Sequence, residues 1–115
     1  MVPDDASFIT DEAQLRAMHH APMSRATDKV LTSLDKHCRA ILELSPFCVV
    51  ATQGAGGADV SPRGDPPGFV KVIDNRHILL PDRVGNNRMD GMVNLLGNPA
   101  IGLLFFVPGM GETLR

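Results

Sequence analysis

The chain of 115 residues has no Trp and no Tyr, and five Phe are the aromatic rings it can offer. A flat ligand would therefore have to be held by Phe, Arg or backbone. Cys38 and Cys48 are too few for a disulfide scaffold and lack metal-ligand spacing. Their apolar neighbours mark them as small buried residues rather than reactive thiols. No apolar run approaches the ~20 residues needed to cross a bilayer. The start, Met1-Val-Pro-Asp-Asp-Ala, has neither the basic nor the apolar stretch of a secretory signal. The expectation is a cytoplasmic protein with no membrane partner. Positive charge is not in excess either. Eleven Lys and Arg face thirteen Asp and Glu, a net charge of −2, which argues against a nucleic-acid partner. Internal repeats are absent, and so is low complexity beyond one Gly-rich turn.

What the chain does have is turn formers. Eleven Gly and nine Pro imply short elements and many reversals, hence strands rather than a helical bundle. Residues 1–10 read as a loosely tied arm. Asp11 to His20 suits a short helix, with Asp11 and Glu12 at its start and Leu15 and Met18 on one face. A second helix is expected from Ser24 or Thr27 as N-cap to Ser45. Leu31, Leu34, Cys38 and Ile41 form its apolar stripe, and Pro46 closes it. The period then shifts to that of strands. Phe47–Thr52 and Ala58–Pro62 make a hairpin around Gln53-Gly-Ala-Gly-Gly57. Phe69–Ile73 and His77–Pro81 flank the turn Asp74-Asn-Arg76. A third helix follows, with Met89, Met92, Val93 and Leu96 as its expected buried stripe and Gly97-Asn-Pro99 as its stop. Ala100–Val107, apolar throughout, reads as a central fifth strand. Glu112–Arg115 reads as the first residues of a sixth, so the meander is an unfinished barrel with open edges.

Two polar segments interrupt this apolar pattern, Ser61-Pro-Arg-Gly-Asp-Pro-Pro-Gly68 and Pro81-Asp-Arg-Val-Gly-Asn-Asn-Arg88. The second leads into a helix start, where Asn86 and Asn87 are cap-type residues flanked by Arg83 and Arg88. Free helix N–H groups beside fixed guanidinium forks make an anion site, and Arg63 can converge on it. The plainer reading is a rigid turn and an ordinary cap, with the arginines paired to Asp65, Asp82 and Asp90. His19 and His20, adjacent on a helix, point apart, and His37 and His77 are single, so no metal site is expected. Ser61 lacks His and Asp partners at a nucleophile spacing.

Four strings, Leu44–Thr52, Asp59–Val70, Pro81–Arg88 and Asn98–Phe105, resemble the pyridoxamine 5′-phosphate oxidase-like flavoproteins, and more narrowly a bacterial subgroup. The resemblance runs from about Ile9 to Arg115. It implies an α+β fold, an antiparallel, Greek-key-like split β-barrel with N-terminal helices and one helix before the fifth strand. The expected layout is one domain over 1–115, with a helical segment at 1–45 and barrel strands at 46–115 that stop short of closure. It further implies a homodimer with FMN between subunits. By position, Ser61, Pro62 and Arg63 line the flavin and reach its phosphate. Asn86, Asn87 and Arg88 hold the phosphate, and Arg83 faces the cofactor. The expected activity is a flavin-dependent oxidoreductase acting on a small molecule. The alternative is a non-enzymatic cofactor-binding module or a truncated dimerisation domain. The oxidases' longer basic strand motif and their C-terminal Trp and Arg have no counterpart here. Oxidation of pyridoxamine phosphate itself is therefore not expected, and the chain reads as cut short within the barrel.

Overall fold

A cap, a proline and a strict alternation of side chains explain most of the architecture. The computed structural model describes residues 8–19, 30–82 and 89–115. The chain divides into two compact units, Met1–Leu31 and Thr32–Arg115. The first contains α1 (Glu12–Ala17), where the extended Asp11 accepts a hydrogen bond from the Gln14 N–H at 2.7 Å. That bond satisfies one of the orphan donors of the first turn. No α1 residue is buried.

The second unit begins its regular structure with α2 (Lys36–Leu44). This corrects the expected start at Ser24 or Thr27. Residues 20–29 lie outside the described ones, and residues 30–35 are not helical. The physical reason is Asp35, which is extended and accepts from the Cys38 N–H at 2.8 Å, capping the helix there. Leu31 and Leu34 match the helical period by spacing alone, and Leu31 is half exposed. Ile41 and Leu42 carry the buried face. Pro46 disfavours helix at Ser45, whose backbone turns extended. The buried Ser45 Oγ lies 2.8 Å from the Phe47 carbonyl and 2.7 Å from that of Phe106, tying the helix end to two strands.

Strands β1 (Phe47–Gly54) and β2 (Gly57–Gly64) form the hairpin, each two or more residues longer than its apolar core suggests. β3 (Lys71–Asp74) and β4 (His77–Leu79) form a separate ribbon. After α3 (Asp90–Gly97) come β5 (Gly102–Phe106) and β6 (Thr113–Leu114). The main sheet has the order β2-β1-β5-β6, antiparallel throughout, so β5 is an inner strand as expected. The fold is α+β, with antiparallel sheets and no closed barrel among the described residues. Alternation along β1 sends Cys48, Val50 and Thr52 inward. Their neighbours on β5 are Phe105 and Leu103. With Ile41, Leu42 and Val70, and Leu34, Phe69, Val72, Ile78 and Leu80 around them, they form the core.

The third helix also departs from expectation. Met89, Met92, Val93 and Leu96 are not buried: all four are exposed, Leu96 by 91%. Periodicity had identified a shared face but not which way it points. The face toward the hairpin is instead built from Gly91 and Asn94, as their contacts below show.

Candidate functional site

The β1–β2 ladder places two of the three strand residues together. Arg63 is opposite Cys48 and Ser61 opposite Val50, so both side chains share the core face of the sheet with Asp59, opposite Thr52. Pro62, opposite Val49, lies on the other face and is exposed. Its chemistry is that of an edge strand, where the missing N–H costs no ladder bond. Arg83, Asn86, Asn87 and Arg88 lie outside the described residues.

The end of β2 is held from outside. The Asp65 N–H donates to the Pro46 carbonyl at 3.1 Å, and the Gly68 N–H to the Ser45 carbonyl at 3.2 Å. Gly68 has φ +77°, and a Cβ there would sit 3.1 Å from the Glu43 carbonyl oxygen, so glycine is required at this close approach. The loop after Arg63 is thus pinned to the end of α2, and Arg63 is half-buried. Its Nε is fully enclosed and has no hydrogen-bond partner among the described residues. A buried donor left unsatisfied costs roughly 1–3 kcal/mol. Such groups are rare in native proteins and point to a missing acceptor. Burial pushes the neighbouring Cys48 thiol above its ordinary pKa, with the Arg63 charge opposing. At neutral pH Cys48 is a neutral wall of the site, not an anion that pairs with Arg63.

Helix α3 supplies the third component. Gly91 sits over the hairpin: a Cβ there would lie 3.8 Å from Thr52 Oγ1 and 3.9 Å from Asp59 Oδ2. One turn on, Asn94 Nδ2 donates to Thr52 Oγ1 at 3.1 Å. Gly97 and the C-cap Asn98 face the β1–β2 turn across a cavity of about 610 Å³. The helix therefore runs along the hairpin with its C-terminal end at the turn. Its N-terminal end is directed along β2, toward Ser61 and then Arg63. Ser61 is two residues, about 7 Å, beyond Asp59. The residue before the helix, Met89, adopts φ +52° and makes no side-chain cap hydrogen bond. A left-handed Met is uncommon and is the kind of local strain that gathers at working sites.

Ser61 and Arg63, a hydroxyl and a guanidinium on one face of the hairpin, are groups of the kind that can meet an anion. A family model described as Pyridoxamine 5'-phosphate oxidase matches residues 34–115 of the chain. The chain belongs to the pyridoxamine 5′-phosphate oxidase family. Neither the curated proteins nor the solved structures compared with it contain a match. The matched span includes α2, all six strands and α3, which is the unit that carries Ser61 and Arg63. Membership gives this pyridoxamine 5′-phosphate oxidase-family chain a flavin-binding type of fold, and Ser61 and Arg63 fall inside the matched span.

Among the described residues there is no group of three His, Cys, Asp or Glu placed to hold a metal ion. Nor, among them, is any helix long and apolar enough to cross a membrane. His37 lies 2.7 Å from Glu112, and His77 2.9 Å from Asp74, each in an exposed pair. Thr52, Asn94 and Gly91 were not singled out by sequence reasoning. The available signal was a polar Asn and a Gly inside an otherwise apolar helix.

Proposed function

We propose that the chain binds FMN, with the phosphate end received by Arg63 and Ser61, and serves as an FMN-dependent oxidoreductase acting on a small molecule. The enclosed Arg63 Nε carries this reading. A phosphate oxygen is the acceptor that such a donor lacks, and a guanidinium meets phosphate with two parallel bonds. Ser61, on the same face, donates its hydroxyl to the same group. Pro62 contributes through the backbone between them, since its ring is on the other face. By resemblance, Arg83, Asn86, Asn87 and Arg88 complete the phosphate contacts, and a homodimer encloses the flavin. When bound, the flavin carries the electron or hydride transfer. The chain binds it, orients it and shields it.

This reading asks for no protein nucleophile and no metal. The test is to purify the chain with FMN present, remove free flavin and record the visible spectrum, then add a reduced nicotinamide donor. A retained flavin band that bleaches on reduction and returns in air supports an oxidoreductase. Retention without any bleaching supports a binding module instead, and complete loss of flavin overturns the assignment.

A further inference from the structure

α3 is an eight-residue helix with no buried residue and an apolar stripe that faces outward. Gly91, Asn94 and Leu95 are its half-buried residues. One contact that holds it is polar and local. The Asn94 amide donates to Thr52 Oγ1 at 3.1 Å, and Thr52 is itself 6% exposed on the core face of β1. At that depth the Thr52 hydroxyl needs a partner, and Asn94 supplies it.

Two glycines make the contact possible. At Gly54 a Cβ would lie 2.7 Å from the Asn94 Cγ and would overlap its Oδ1, so the amide occupies the space a side chain would take. At Gly91 the helix backbone comes within van der Waals reach of Thr52 and Asp59. The bond is thus a hook between the middle of α3 and the strand that pairs with Ser61 and Arg63.

We infer that the Asn94–Thr52 hydrogen bond, seated by Gly54 and Gly91, is the positioning device that keeps the first turn of α3 directed at Ser61 and Arg63. Asn94 and Thr52 are positioning residues: they do not touch the anion and act through the helix. The inference rests on the proposed FMN reading for its ligand, but the hook itself is measurable without one.

The variants are Thr52→Val, which keeps the shape and removes the acceptor, Asn94→Leu, which removes the donor, and their combination. The first readout is amide hydrogen exchange of the flavin-free protein. Loss of one part-buried hydrogen bond is expected to speed exchange in Val93–Gly97 by about tenfold. The β1–β5 amides should be unchanged, which shows that the sheet remains folded. The second readout is the ratio of FMN to riboflavin affinity. Each single variant should weaken FMN by about fivefold to tenfold and leave riboflavin unmoved. The double variant should lose no more than either single one, because both remove the same bond.

Unchanged α3 exchange in folded Thr52→Val overturns the hook whatever the flavin result. Faster exchange with an unchanged FMN-to-riboflavin ratio overturns the positioning role. An equal loss for both flavins also overturns it, since that reports general loosening. Should the unsubstituted chain bind no FMN, the proposed function fails, and the positioning role fails with it. Exchange then still decides separately whether the hook exists.

Discussion

Asp35 shows how one side chain can set an element. Its carboxylate accepts from the Cys38 N–H and starts α2 there, and that bond is also the largest reason its carboxyl titrates below the ordinary carboxylate value. A carboxyl with a depressed pKa in the folded state stabilises the protein above the unfolded pKa, about 3.9. The contribution disappears as pH falls through the folded value. Asp74, held down first by the Arg76 N–H and then by His77, acts in the same direction. Thermal melts of the chain and of Asp35→Ala should therefore differ by a constant amount near neutral pH and converge below about pH 4. A gap that persists undiminished into stronger acid would show that Asp35 does not act as a charged cap. Ser45 and Gly68 work at the same scale. One ties the end of α2 to β1 and β5, and the other lets the loop after Arg63 pass the Glu43 carbonyl.

At the scale of elements, α3 inverts the usual amphipathic logic, and the two helices of the second unit give opposite responses to substitution. Leu96, 91% exposed, should tolerate Glu with a stability change within about 0.5 kcal/mol. Leu42, 2% exposed on α2, should lose about 2–5 kcal/mol when cut to Ala. Denaturant unfolding of both variants checks the pair, and a Leu96→Glu variant that unfolds as readily as Leu42→Ala would contradict the orientation of α3. The contrast also shows what a sequence can and cannot convey. Strand positions were readable because the run from Phe47 to Thr52 and the Gly-rich turn carry their own period and punctuation. The place of β5 was readable because Leu103 to Phe106 are apolar on both faces. The start of α2 was not, because Leu31 and Leu34 continue the helical spacing past a cap that only a hydrogen bond reveals. The orientation of α3 was not, because a stripe states which residues share a face and leaves open what that face meets. For the site, the expected strand ended at Pro62 and grouped Pro62 with Ser61 and Arg63, whereas the ladder runs on to Gly64 and turns Pro62 to the other face, and the enclosure of Nε is a feature of the folded chain alone.

Across the molecule, the second unit leaves apolar surface uncovered. Val60 on β2 and Val93 and Leu96 on α3 are all more than half exposed, and β2 and β6 are the edges of the main sheet. A contact with another chain would cover surface of this kind. The proposed homodimer supplies one, and mass action then adds to the stability of a core this small. Sedimentation at micromolar concentration should show a dimer, and Val60→Glu on the edge strand β2 should shift it toward monomer. A folded monomer for the unsubstituted chain would contradict the dimer. The claim on which everything else turns is that Arg63 receives the phosphate of FMN. Titrating FMN and riboflavin into the chain and into Arg63→Ala, followed by flavin fluorescence, tests it most directly. Arg63→Ala should weaken FMN by about 1.5–3 kcal/mol, the range for a hydrogen bond to a charged group, and leave riboflavin nearly unchanged. Equal losses for the two flavins, or unchanged FMN binding in a folded variant, would contradict it.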